Sequence, residues 1–468
     1  MLNLRIENIG KLNKIDIDLE GITILGAKND SGKSTISKVL GTSINAINNY
    51  ENLFESLLNR RLRRRIIEIN GILSNNFDNK DLDTSEIPEE FKIFFDNNEN
   101  IYDFPFEYDK FSRRTSDKTY NQELNELIKG FKYLVDFFAN EITKEDLEKL
   151  HDLINSLEKL MKDRPTKYKR NLISEFFIRN FKGSIKNFHN NNGSKIEITQ
   201  NKNVIFEAHF NSENRMDMCN TGYSELKNVV YIESPIIIDK INRVRHIPDN
   251  ARSLNFENNL IEMLLNEQED DLLDEENENK NKVLQLISKI VNGKLEKDEK
   301  GRIINRFKFK RGSYEIETSN LATGIKSFVT IQLLLENNWL NKECLLIIDE
   351  PEVHLHPEWQ VKFAEVLVLL NKYLNVNIYL NTHSTYIIEA FQVLSTNYDI
   401  EEDINYYMLE SNGFSSSAKS IEISDSYEIN DSLYELYDQL NGAFSILDDF
   451  KLHKNSNRIY MEESNEWS

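Results

Sequence analysis

The chain has 468 residues, 39% apolar and 29% charged, with a mean hydropathy of -0.55. That length exceeds one ordinary domain and the composition reads as soluble with a sizeable core; no stretch approaches the roughly 20 apolar residues a membrane span needs. A net charge of -21 argues against a broad face gripping duplex DNA, which carries a basic excess, while leaving room for a local basic channel.

Cysteine is scarce: Cys219 and Cys344 alone, the latter inside an apolar run. Together with a strand-like start at Met1 to Arg5, without a signal peptide, this points to a reducing cytoplasm and no disulfide framework. Leu4, Ile6 and Ile9 open a first strand, and Ile15, Ile17 and Leu19 alternate in a second. Ile22 to Leu25 is a short buried strand that runs into Gly26-Ala27-Lys28-Asn29-Asp30-Ser31-Gly32-Lys33-Ser34-Thr35. A helix with Ile36, Val39, Leu40, Ile44 and Ile47 on one face follows. Strand, glycine-containing turn and helix form the context of a phosphate-binding loop. Asn29, Ser31, Gly32, Lys33, Ser34 and Thr35 line the helix start, where backbone N–H groups and the helix dipole attract phosphate oxygens. Lys33 would reach the β- and γ-phosphates of ATP, and the Ser34 hydroxyl would ligate Mg²⁺. The usual glycine five residues before Gly32 is Ala27 here, with Gly26 one place early; the turn requires φ to stay negative at Ala27.

Residues 51–190 interrupt this core. Arg60, Arg61, Arg63, Arg64 and Arg65 cluster on a helical stretch that would meet nucleic acid, an acidic partner or simply solvent. Leu124, Leu127, Ile128, Phe131, Leu134, Val135 and Phe138 recur at helical spacing. After the capping box Thr143-Lys144-Glu145-Asp146, Leu147, Leu150, Ile154, Leu157 and Met161 do the same, predicting a helical hairpin. Residues 195–210 read as a β-hairpin returning the chain to a sheet, and Val229 to Ile232 as a buried strand ending at Glu233-Ser234-Pro235. Residues 267–278 hold eight acids and no base, which reads as a mobile loop rather than a metal site. A helix around 283–291 and two strands around 302–317 complete this part.

Cys344 to Glu350 is an apolar run ending in two acids, the form of a buried parallel strand with a metal and water site at its carboxyl end. If the loop binds ATP, Asp349 would hold Mg²⁺ through its water shell, and Glu350 would orient or deprotonate the attacking water. His383 follows a further apolar strand and would touch the γ-phosphate. His354, His356 and Glu352 have spacing that would assemble a metal site only on a strand or loop, and no cysteine or further histidine cluster accompanies them.

Leu345 to Pro357 and Asn381 to Ser384 resemble the Walker B, D-loop and H-loop of ABC/SMC-type ATPase heads. The form Glu-Pro-Glu-x-His-Leu-His-Pro is similar to the overcoming-lysogenization-defect branch of that group. Leu321-Ala322-Thr323-Gly324 stands where such heads carry Leu-Ser-Gly-Gly, with Ala322 for Ser and Thr323 for the first Gly. The resemblance covers residues 1–48 and 318–390 and implies an α/β fold: an ABC-type head with a mixed, mainly parallel sheet and an inserted helical subdomain. Its boundaries would be 1–50 for the loop-bearing lobe, 51–190 for the helical insertion and 191–240 for the return to the sheet. An acidic loop with helices would fill 241–300, the signature-to-H-loop core 301–395, and an acidic strand and helix extension 396–468.

The resemblance further implies ATP and Mg²⁺ as cofactors and head-to-tail self-association, dimeric or higher, with Thr323 and Gly324 closing over the partner's ATP. No Q-loop glutamine stands near Ser234-Pro235. Nucleases of this branch continue into a Toprim domain. The strand and helix segments after His383, at 406–409, 421–423 and 433–440, and the pair Asp448-Asp449 lack that framework. The combination resembles ATPase subunits of anti-phage systems such as Septu, PARIS and retron-associated systems, which implies a sensor acting on a separate effector such as a nuclease. Residues 401–468 hold 15 acids against 4 bases, a surface suited to a basic protein. A DNA-repair ATPase using the arginine cluster with Lys167, Lys169 and Arg170, and a slow nucleotide switch, are the other readings.

Overall fold

The computed structural model describes residues 2–28, 30–77, 118–186, 192–242, 254–268, 274–297, 307–411 and 415–421. They divide into two compact units, one comprising Met1–Asn48, Ser174–Ile247 and Leu254–Ser468, the other chiefly Asn49–Ile173.

In the first unit, β1 (Leu2–Ile9) and β2 (Leu12–Asp18) pair antiparallel, and their alternation puts Leu4, Ile6, Ile15 and Ile17 inside. β3 (Ile22–Gly26) is buried at every position, as its unbroken apolar run demands. It delivers the chain to α1 (Lys33–Phe77), one continuous 45-residue helix.

The second unit holds the rest of α1 with α2 (Lys118–Phe137), α3 (Lys144–Lys162) and the first turns of α4 (Pro165–Asn180). The predicted hairpin is α2 and α3, with Leu124, Phe131, Leu134, Leu150, Ile154 and Leu157 buried between them and their neighbours. Thr143 caps α3 by accepting from the Asp146 N–H at 3.2 Å, and its hydroxyl donates back to the Asp146 carboxylate at 3.0 Å. Leu58, Leu62, Ile66, Ile69 and Leu73 form the buried face of α1 here, and Arg60, Arg61, Arg63 and Arg64 lie exposed opposite.

Back in the first unit, β4 (Ser194–Gln200), β5 (Asn203–Phe210) and β6 (Met216–Thr221) extend the sheet from β1, with the predicted hairpin at β4–β5. After β7 (Asn228–Ile232) come α5 (Ile238–Ile241), α6 (Phe256–Leu265) and α7 (Asp274–Val291). The acidic block is thus corrected in part: from Asp274 onward it is helix rather than mobile loop, because acids at a helix start are favoured by the dipole. Residues 269–273 lie outside the described set.

Strands β8 (Lys294–Lys297), β9 (Phe307–Arg311) and β10 (Tyr314–Glu317) make a small antiparallel sheet that leads to α8 (Thr323–Glu336). Then follow β11 (Cys344–Asp349), α9 (Pro357–Leu374), β12 (Asn377–Thr382), α10 (Thr385–Asn397), β13 (Ile404–Ser411) and β14 (Ser416–Ile421).

The large sheet has eleven strands in the order β6-β5-β4-β1-β2-β14-β13-β3-β12-β11-β7. β7, β11, β12, β3 and β13 run parallel, and the β6-to-β2 side is antiparallel. This is the expected α/β fold with a mixed sheet. α8, α9 and α10 bury apolar faces in one core with the parallel strands, where the Phe328 ring stands edge-on to Trp359 and Phe363 at 5.5 and 5.3 Å. The sequence readings at 433–440 and at Asp448-Asp449 lie outside the described residues.

One buried ion pair ties α8 to α5. Lys326 Nζ lies 2.8 Å from both carboxylate oxygens of Asp239, with the ammonium almost wholly buried. Asp239→Ala strands that ammonium, and a loss of about 3 kcal/mol is expected, at the low end for buried pairs because Asp239 keeps some solvent. Urea unfolding measures it, and a midpoint unchanged from wild type would show the pair to be neutral.

Candidate functional site

The parallel strands set the site. Gly26 is in register with Thr382, and Asn381 with Asp349, so β3, β12 and β11 end on one edge, where open α/β sheets bind ligands. Backbone bonds stitch that edge: Ala27 N–H donates to Thr382 O at 3.3 Å, and Glu350 N–H to Asn381 O at 2.9 Å. The sequence-separated residues Lys33, Asp349, Glu350 and His383 therefore meet.

In the phosphate loop, Ser31 Oγ donates to Lys28 O at 2.7 Å, closing the turn. Asp30 (φ 61) and Gly32 (φ 97) take left-handed conformations, whereas Ala27 does not, as its side chain requires. The positive φ is what calls for glycine at 32; a Cβ there would also come within 2.8 Å of Leu12 Cδ2, so that side chain would have to shift. Asp30 also pairs with Lys11. Ser34 and Thr35 are half-buried in the first turn of α1, where Thr35 N–H bonds Gly32 O at 3.0 Å. Asn29 lies outside the described residues.

The Lys33 ammonium is buried and donates to Ala27 O at 2.9 Å, while standing 3.5 Å from Glu350 Oε1. Glu350 has a left-handed backbone (φ 48), an unusual state for a residue with a Cβ, and keeps about a third of its side chain open to solvent. Its Oε1 lies 3.9 Å from His383 Nδ1. His383 in turn sits 2.9 Å from Glu352 Oε1. That bond raises the imidazole pKa above its usual range against the opposing effect of burial; the Glu352 and Glu350 charges help, and Lys33 opposes.

Asp349 is engaged on both oxygens. Ser37 Oγ and Asn381 Nδ2 donate to Oδ1 at 2.5 and 2.7 Å, and Tyr231 OH donates to Oδ2 at 2.7 Å. Asn381 Nδ2 also reaches Ser37 Oγ at 2.5 Å. Burial, then the Asp349 charge, holds the Tyr231 hydroxyl well above its usual pKa, so it remains a donor. Ser37, Tyr231 and Asn381 went unassigned in the sequence. A buried tyrosine inside an apolar strand, whose hydroxyl must find an acceptor, was the available sign.

The signature residues Thr323 and Gly324 open α8. Thr323 is half-buried at the start of α8, and Gly324 packs on the chain's own D-loop: a Cβ there would meet Leu355 Cδ2 at 3.2 Å, His354 O at 3.4 Å and Trp359 at 3.4 Å. His356 caps α9, its Nδ1 accepting from the Glu358 N–H at 3.4 Å, and His354 holds a left-handed turn (φ 70). Among the described residues no group of three His, Cys, Asp or Glu is placed to hold a metal, and no helix is long and apolar enough to cross a membrane.

Glu350 and His383 just past two strand ends, facing Lys33 at the start of α1 in a loop-to-helix phosphate cradle, are the arrangement of a P-loop ATPase domain. The sequence profile of the AAA ATPase domain matches residues 1–388, and the chain belongs to that family. Among solved structures it is similar to the SMC head domain from Thermotoga maritima, at 12% identity over 90% of this chain and 98% of that one, with a TM-score of 0.36. It is also similar to an Smc head domain with an extended coiled coil bound to the C-terminal domain of ScpA, derived from Pyrococcus furiosus, at 10% identity, 96% and 100% coverage and a TM-score of 0.36. No curated protein matches the sequence.

Proposed function

We propose that the chain hydrolyses ATP at the edge formed by β3, β11 and β12, and that it does so as the regulatory subunit of a separate effector, a nuclease, in bacterial anti-phage defence. The observation that carries the catalytic half is the 3.5 Å approach of Lys33 to Glu350, beside His383 and Asp349. Lys33 exchanges its bond to Ala27 O for the β- and γ-phosphates, freeing the Glu350 carboxylate to orient and deprotonate water. Mg²⁺ fits the hard oxygen donors Ser34 and Asp349. Because both Asp349 oxygens already accept hydrogen bonds, Asp349 would hold the ion through its water shell and the Ser34 hydroxyl would ligate it. When bound, the ion neutralises charge building on the phosphates.

Thr323, half-buried at the start of α8, donates to the γ-phosphate of a second copy in a head-to-tail pair. Support for a separate partner comes from the acidic 401–468 stretch, which suits a basic protein. The exposed row Arg60, Arg61 and Arg64 favours a second reading, direct binding of nucleic acid.

Purifying the chain with the product of its neighbouring gene, with and without ATP, tests the proposal. Co-purification that Lys33→Ala weakens is the expected result. No association, combined with salt-sensitive DNA binding that is lost on replacing the three arginines, would transfer the function to the second reading.

A further inference from the structure

Glu352 has no task in the reading above, yet it is a carboxylate buried to 7% exposure, two residues past the proposed base. Burial alone pushes a carboxyl toward its neutral form. Here burial is outweighed by the bonds from the His383 ring and backbone, which hold the Glu352 pKa below the usual range.

The geometry is specific. Glu352 Oε1 accepts the His383 backbone N–H at 2.6 Å and lies 2.9 Å from the same residue's Nδ1. One oxygen thus fixes both the position of His383 in the chain and the rotation of its ring. Glu352 is itself held in a tight turn after β11: Val353 N–H bonds Glu350 O at 3.1 Å, and Leu355 N–H bonds Glu352 O at 2.9 Å. A carboxylate facing Nδ1 requires that nitrogen to carry a proton, which leaves Nε2 as the ring nitrogen for a ligand. The charged groups facing the ring are Glu352 and Glu350 from the D-loop turn and Lys33 from the phosphate loop.

We propose that Glu352 is a positioning residue for His383, fixing the ring's orientation and its Nδ1-protonated form so that Nε2 addresses the γ-phosphate. The inference rests on the role proposed for His383. It differs from a purely structural role, in which Gln, with the same shape and an amide oxygen in the same place, would serve equally well. The sign of the electrostatic effect is clear: the carboxylate favours the imidazolium, so its removal lets the ring lose its proton at lower pH.

The full chain labelled with [¹³C,¹⁵N]histidine supplies the test, with the His383 signal assigned by its loss in His383→Asn. In wild type above the titration midpoint, the expected neutral tautomer carries its proton on Nδ1; a proton on Nε2 overturns the proposal without any variant. In Glu352→Gln the midpoint is expected at lower pH, and the alkaline limb of the kcat profile is expected to move the same way. There kcat should fall about 10- to 100-fold, with KM for ATP within about twofold. A folded Glu352→Gln protein with an unchanged His383 midpoint overturns the proposal. If wild type turns over no ATP, the catalytic reading fails, and the tautomer and titration still decide the role of Glu352.

Discussion

Glu350→Gln is expected to lower ATP turnover by about 10²- to 10⁴-fold while nucleotide affinity stays within severalfold. Glutamine matches the size of the side chain but cannot accept a proton from water. The local structure should tolerate it, because the left-handed backbone at residue 350 is held by its own N–H bond to Asn381 O rather than by the carboxylate. Lys33 keeps its bond to Ala27 O when the carboxylate is gone, so the cradle survives. Phosphate release and fluorescent-nucleotide titration measure the two quantities separately. A variant that hydrolyses as fast as wild type removes Glu350 as the base.

A different kind of loss is expected from Asp349→Ala: a fall in stability of about 3–5 kcal/mol, together with loss of turnover. Three side chains from three elements, Ser37 on α1, Tyr231 on β7 and Asn381 on β12, donate to this one carboxylate. Without it their buried hydroxyl and amide groups face one another with too few acceptors. Tyr231→Phe removes a single donor and should cost about 1.5–3 kcal/mol, as bonds to charged groups do. Urea unfolding of both variants checks the order. Equal stability of Asp349→Ala and wild type would mean that water replaces the carboxylate without penalty.

Much of this was legible in the chain. The loop between β3 and α1 announces itself by residue type and context, and the run ending at Asp349 and Glu350 reads as a buried strand because it is short, unbroken and apolar, as a strand covered on both faces is. His383 was legible as the residue after an apolar strand and, through the resemblance of Asn381 to Ser384, as an H-loop histidine facing the γ-phosphate. What remained hidden depends on distances across the sheet. Ser37 lies one helical turn beyond Ser34, and its partner Asp349 lies 312 residues away, so no local pattern marks it. Glu352 read as part of the D-loop-like segment, with a metal site beside His354 and His356 weighed and set aside, because its partner, His383, enters from another strand. The acids from Asp274 onward read as loop by composition, although a helix start favours such charge.

Gly324 carries one further consequence. A Cβ there would meet the same chain: Leu355 and His354, on the turn that carries Glu350 and Glu352, and Trp359 in the first turn of α9. Any side chain introduced at 324 presses first on that turn. A defect at this glycine therefore reports on the geometry of its own candidate site, so a loss of function at 324 is not by itself a measure of self-association.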